Sequence, residues 1–343
     1  MNERVLLKER PPQRPRKSIF TPEDWHNFLQ ESVDLFLRNR QGHLIHRCYL
    51  TEKALIYGGK FSSAPANYMK PAEIGVIPIA AANISSKYPH LDGFIGIENG
   101  PGMETAMRSK SGPFFGGLNG LHTWVGRDLS PASINLMPPV MSDELSDVRI
   151  VPDMSDFNEA AFPKGLGKGR RVIAEFGMTV GNMEGFPEDG FPVHIIRKTW
   201  AKHRSRMKAG DIYTFTFDCN QNGGEVERAY NSKWTTFWGR ELFQVMANEL
   251  PIEGDFDPKS YVFRDEWEKQ SHGGFNYMIA QRKMDFAIAG HPITIEKGEG
   301  WGITNSYKMP EEIAEDTAEQ TGFEIDWNYG PDRRVPMPAL VAI

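Results

Sequence analysis

The residues best suited to chemistry stand where short apolar runs end in glycine or acid. Phe94 to Ile97 reads as a buried strand and runs into Glu98-Asn99-Gly100-Pro101-Gly102-Met103-Glu104-Thr105. A glycine turn after a first strand lets main chain come close to a ligand at the carboxyl edge of a sheet. Such turns also simply close loops, so Glu98, Gly100 and Gly102 gain weight only beside other ligand-binding signals. Asp128 ends a second strand, His122 to Gly126, and an acid there can accept hydrogen bonds from ribose hydroxyls. A third strand, Val148 to Val151, precedes Asp156-Phe157, which offers a carboxylate for an adenine amino group and a ring to cover the base. A fourth, Arg171 to Phe176, opens into Gly177-Met178-Thr179-Val180-Gly181-Asn182. Two glycines among small residues allow backbone groups and the Asn182 amide to point into a cleft.

Elements must hold these residues at one edge. From about residue 72 helix and strand signals alternate, which predicts an α/β fold with a mostly parallel sheet. Ile77 to Ile84 reads as a short buried helix with Pro78 in its first turn. Val193 to Met207 reads as another, followed by Lys208-Ala209-Gly210-Asp211 and a strand from Ile212 to Asp218. Upstream, Thr21 caps a helix with Pro22, Glu23 and Asp24 in its first turn and one apolar face from Trp25 to Leu37. Residues 40–68 look irregular, with Tyr57 and Tyr68 as tyrosines that could face a ligand or simply pack. Residues 1–17 read as a mobile tail. Downstream come a helix from Arg240 to Leu250, strand-like stretches Gly274 to Gln281 and Phe286 to Ile295, a helix from Pro310 to Thr321, then two strands. The expected layout is a Rossmann-like domain from 72–217 and 309–343, with a discontinuous substrate-binding cap from 18–71 and 218–308.

Composition narrows the partners. A formal charge of −6 and a pI near 5.9 give no long-range attraction to phosphate backbones, so nucleic acid is not expected. Cys48 and Cys219 are too few for a disulfide framework or a cysteine-rich zinc site. No apolar run approaches the roughly 18 residues of a membrane span, and the first residues lack a signal-peptide core. The expectation is a cytoplasmic protein with a small-molecule partner, no metal and an open oligomeric state.

The ordered series Arg171-Val-Ile-Ala-Glu-Phe-Gly-Met-Thr-Val-Gly-Asn182, Lys208-Ala-Gly-Asp211 and Glu227-Arg-Ala-Tyr-Asn231 resembles the histidine-specific S-adenosylmethionine (SAM)-dependent methyltransferase family. The resemblance extends from about residue 55 and is strongest from 170 to 322. It implies a class I methyltransferase sheet with SAM as cofactor and N-methylation of an amino acid or its derivative. Residue by residue it implies that Glu98 to Thr105 is the family's glycine loop, Asp128 the ribose acid, and Asp156-Phe157 the adenine pair. Asn182 and Tyr230 match residues that hold the amino-acid head group, and Tyr57, Tyr68 and Met278 match pocket residues. Ser306 matches a serine that contacts the imidazole in histidine-specific members. The accompanying glutamate position is occupied by Thr304, which points away from histidine as the acceptor.

The chemistry this demands is positional: a neutral nitrogen held in line with the sulfur–methyl bond at about 3–3.5 Å, with no strong base. A neighbouring sulfonium and a partly dry pocket both disfavour the ammonium form. Free arginine is the alternative acceptor, with Glu175, Glu184 and Glu266 as acids able to pair with its guanidinium. The competing classes are a nicotinamide dehydrogenase, for which the third glycine is lacking, and a catalytically silent SAM-binding protein.

Overall fold

The computed structural model describes residues 14–15, 17–39, 44, 47, 51–157, 159–183, 185 and 187–343. Of the expected tail, only Arg14, Pro15 and Lys17 fall among them, and Glu184 lies outside them. In chain order the strands are β1 Phe94–Asn99, β2 Leu121–Arg127, β3 Arg149–Asp153, β4 Arg170–Glu175, β5 Ile212–Phe215, β6 Ile252–Gly254 and β7 Tyr261–Glu268. They continue as β8 Gly273–Ala280, β9 Met284–Ile288, β10 His291–Ile295, β11 Gly300–Tyr307, β12 Phe323–Asp326 and β13 Ala339–Ala342. The helices are α1 Pro22–Asp34, α2 Glu52–Ser62, α3 Met69–Lys87, α4 Glu104–Ala106, α5 Gly112–Gly116, α6 Pro131–Glu144, α7 Val193–Ser205, α8 Gly223–Tyr230, α9 Lys233–Glu249 and α10 Glu311–Gln320. The chain divides into two compact units: Tyr68–Asn182 with Phe191–Gln221 and Lys308–Ile343, and the described part of Met1–Asn67 with Met183–Gly190 and Asn222–Tyr307.

The first of these units is built on a seven-stranded sheet in the order β12-β13-β5-β4-β1-β2-β3. Strands β1 to β5 are parallel, and β13 runs antiparallel to both β5 and β12. This is the Rossmann-like α/β sheet that the alternating helix and strand signals predict. Strand order reverses between β1 and β4, so helices leave on opposite faces and a crevice opens at the carboxyl ends of those two strands. All six residues of β1 are buried. Gly96 belongs there because a Cβ would come within 2.6 Å of the Phe115 ring. Val76, Ala80, Phe94, Phe114, Trp124, Met137 and Val172 share the core on that face.

Helix α3 differs from the expected Ile77 to Ile84. It begins at Met69 and carries Pro78 in its interior rather than in its first turn. Its buried face includes Glu73, and this polar residue broke the apolar pattern that would have revealed the first two turns.

The other unit holds two antiparallel three-stranded sheets, β10-β9-β6 and β11-β8-β7. Residues 52–62, expected to be irregular, form α2, whose Thr51 hydroxyl accepts the Ala54 N–H at 3.2 Å. Gly58 and Gly59 lower helix propensity there, but the cap and packing against α9 prevail. The stretch Phe286 to Ile295 is a hairpin rather than one strand. Ala289 and Gly290 take consecutive left-handed conformations, φ 52° and 76°, which turns β9 into β10. Helix α9 starts at Lys233, earlier than the expected Arg240, because Ser232 and Thr235 form a capping box. Among the described residues no helix is long and apolar enough to cross a membrane.

Candidate active site

Beyond β1, Gly100 and Gly102 take φ values of 69° and 73°, which residues with a Cβ rarely adopt. The Gly100 N–H donates to the Arg127 carbonyl at 2.8 Å, and the Gly102 carbonyl accepts the Ser133 hydroxyl at 2.8 Å. The glycine turn is therefore tied to the end of β2 and to α6. A Cβ on Gly100 would lie 3.8 Å from the Phe157 ring, so the turn and that ring face each other. Asp128 follows β2 and is half-buried. Its Oδ1 accepts the Ser130 N–H at 2.8 Å, and its own N–H donates to the Asp153 carbonyl at 3.2 Å. Asp156 and Phe157, also half-buried, follow β3. Gly100, Gly102, Asp128 and Phe157 thus converge at one sheet edge. Asn99 adds a buried Oδ1 that no described residue satisfies. This edge suits a nucleoside: a glycine turn that leaves room for close approach, an acid for hydroxyls, a ring for a base.

Glu98 points the other way. Its oxygens accept Ser111 Oγ at 2.8 Å and Trp124 Nε1 at 3.2 Å inside the core. Burial pushes its carboxyl up to about 8, against the smaller opposing pull of those two donors.

Beyond β4, Gly177 has φ 80° and Met178 φ 60°, a left-handed non-glycine residue at a sheet end. The Gly177 N–H donates to buried Glu73, which also accepts Thr216 Oγ1 at 2.6 Å and pairs with Lys110 at 2.7 Å. Asn182 ends the next short turn, its N–H donating to Thr179 and its side chain exposed. Glu175, considered for a guanidinium, is buried and accepts the Asn99 amide at 2.8 Å. Tyr68 donates to Asp218 at 2.6 Å, Asp218 pairs with buried Lys308 at 3.3 Å, and the Arg334 guanidinium lies over the Tyr68 ring at 4.3 Å.

In the other unit, Tyr230 closes α8, and its hydroxyl shares a 2.7 Å hydrogen bond with Ser306 Oγ. Its ring lies against Phe61, with centroids 5.4 Å apart. Thr304 stands opposite Asn276, and Asn276 opposite Asp265, so the three share one face of the β11-β8-β7 sheet. Ser306, two residues along β11, falls on the same face. Met278 is fully buried under Gly239 of α9, and Tyr57 packs against Phe237 at 5.5 Å. Glu266 is exposed beside Arg264. The sequence reading missed buried Asp265 and its partner Asn276. The signal was present in β7, where Tyr261, Phe263 and Asp265 alternate inward and an acid occupies an apolar position.

Residues 57–334 match the family described as histidine-specific methyltransferase, SAM-dependent. The chain belongs to this family. It is a SAM-dependent methyltransferase. Protein y4iF of Sinorhizobium fredii (strain NBRC 101917 / NGR234) is 27% identical over 246 residues, which cover 66% of this chain and 73% of that protein. Among solved structures, a SAM-dependent methyltransferase of Clostridium acetobutylicum ATCC 824 aligns at TM-score 0.44 and 8% identity, over 83% of this chain and 98% of the other. The magnesium protoporphyrin IX methyltransferase of Synechocystis PCC 6803 with bound SAM aligns at TM-score 0.44 and 9% identity, over 87% and 96%.

Proposed function

We propose that this methyltransferase acts on a nitrogen of a small free amino acid or amino-acid derivative whose side chain is not that of histidine. The reading rests above all on the Tyr230–Ser306 hydroxyl pair, which joins the residue matched to head-group binding to a residue matched to side-chain recognition. SAM supplies a methyl group made electrophilic by its sulfonium. In this reading Asp128 receives the ribose hydroxyls, Asp156 and Phe157 hold the adenine, and the main chain of Gly100, Gly102 and Gly177 lines the cleft. Glu98 serves from behind the glycine turn. Asn182 accepts from the substrate amine and donates to its carboxylate, while Tyr230 donates to the carboxylate. Tyr57, Tyr68, Met278, Thr304 and Ser306 stand at positions that match the family's acceptor-recognition residues. The protein's part in catalysis is to hold the nitrogen unprotonated and aligned, and no metal enters.

A second reading, methylation of a guanidine on free arginine or a relative, is favoured by buried Asp265 on the same sheet face as Thr304 and Ser306. A carboxylate in that position can receive a guanidinium in bidentate fashion. The test is incubation of the full chain with SAM and each free amino acid in turn, with methylated products read by mass spectrometry. Methylation of a neutral amino acid at its α-amine supports the first reading, and methylation of the arginine guanidine supports the second. Tight SAM binding by titration calorimetry with no product from any acceptor would mark a silent SAM-binding protein.

A further inference from the structure

We propose that Arg127 and Arg206 are positioning residues, which hold the stretch after β3 in the shape that presents Asp156 and Phe157 to the adenine. The proposal rests on the assignment of that pair. Arg127 is fully buried, yet its side chain serves the loop rather than the core. Nε donates to Asp153 Oδ2 at 3.1 Å. One terminal nitrogen, Nη2, reaches Ser155 Oγ at 3.1 Å, the Ala160 carbonyl at 3.1 Å and the Ala161 carbonyl at 3.2 Å. Arg206, just beyond α7, grips the same stretch. Its Nη1 donates to the Phe157 carbonyl at 3.0 Å and its Nη2 to the Glu159 carbonyl at 2.9 Å.

Two guanidinium forks thus fix four main-chain carbonyls between residues 157 and 161. A guanidinium presents its donors in fixed directions, so it defines loop geometry where an ammonium would satisfy one acceptor. The same Arg127 accepts the Gly100 N–H through its carbonyl and is followed by Asp128. One residue therefore sets the glycine turn by its main chain, the ribose acid by its position and the adenine stretch by its side chain. A loop ordered before the ligand arrives loses less conformational entropy on binding, so the clamp should appear in cofactor affinity.

The experiment measures SAM dissociation constants by calorimetry, and acceptor KM at saturating SAM, for Arg206→Met, Arg127→Lys, Asp156→Ala and the Arg206→Met/Asp156→Ala pair. Arg206→Met should weaken SAM binding about tenfold or more, leave acceptor KM unchanged, and add little once Asp156 is already alanine. Arg206 is only half-buried, so its variant decides the matter even if Arg127→Lys does not fold. A folded Arg206→Met protein with wild-type SAM affinity overturns the clamp. So do fully additive losses where Asp156→Ala itself weakens binding. If Asp156→Ala binds SAM normally while Arg206→Met does not, the Asp156 assignment is lost and the clamp stands, acting through Phe157.

Discussion

Asp128 accepts the Ser130 N–H through Oδ1 at 2.8 Å, and among the described residues nothing engages its Oδ2. One oxygen of the carboxylate shapes the turn into α6, while the residue stands at the end of β2 beside the glycine turn. The structural duty needs only that one acceptor, so the proposed ribose contacts can be tested apart from it.

Asp128→Asn keeps an oxygen for the Ser130 N–H and removes the charge. It should leave the melting temperature nearly unchanged and weaken SAM by about 1.5–3 kcal/mol, the worth of charge-assisted bonds to ribose hydroxyls. Asp128→Ala should lose both, so its melting temperature falls as well. Calorimetric SAM titration beside thermal unfolding checks this, and unchanged SAM affinity in folded Asp128→Asn removes the ribose assignment.

Much of this architecture is legible in the sequence. The glycine turn, the acid at Asp128 and the α/β alternation are local patterns, written in consecutive residues. What escaped were relationships that only the fold makes. Arg127 reads as an ordinary strand-end charge until its guanidinium meets carbonyls more than 30 positions later. Glu73 hid the start of α3, because a paired buried acid looks in sequence like an exposed one. Asp265 was passed over for its neighbour Glu266, since only strand alternation tells which of two adjacent acids turns inward. The hairpin at Ala289 was missed because its left-handed first residue is not glycine, asparagine or aspartate.

Glu98 predicts a pH dependence of stability. Its carboxyl releases a proton near 4.5 in the unfolded chain and near 8 in the fold, so between those values the unfolded state binds fewer protons. Stability contributed by this group therefore falls as pH rises from about 4.5 to about 8 and is level above that, a loss on the order of a few kcal/mol. Glu98→Gln mimics the neutral carboxyl. Its stability advantage over the wild type should grow with pH across this window in urea unfolding, and a gap independent of pH would refute titration of Glu98 as the cause.

The Glu73–Lys110 pair predicts an asymmetry. Lys110→Met leaves a buried carboxylate without its cation and should cost about 3 kcal/mol. Adding Glu73→Gln to that variant restores most of the loss, because the amide oxygen still accepts the Gly177 N–H. Denaturant midpoints of the two single variants and the double variant measure the coupling, and simple additivity would show that the two residues do not stabilise each other.

The Tyr230–Ser306 bond carries the substrate reading, and it can be cut from either side. In Tyr230→Phe the ring keeps its contact with Phe61, so packing at the end of α8 is preserved while one donor disappears. If that hydroxyl also serves a substrate carboxylate, acceptor KM should rise by the equivalent of about 1–3 kcal/mol and SAM affinity should hold. Ser306→Ala keeps the phenol but frees its orientation, so its effect on KM should be smaller than that of Tyr230→Phe. Asn182→Ala should act mainly on kcat, because a nitrogen released from its line with the methyl group loses rate by up to about a hundredfold. A purely structural pair would behave otherwise: both hydroxyl deletions would lower the melting temperature and leave KM where it was. Melting temperature, SAM affinity and acceptor kinetics on the same four proteins separate the two cases. Folded Tyr230→Phe with unaltered acceptor KM would remove the head-group role, and with it the chief reason for a free amino acid as substrate.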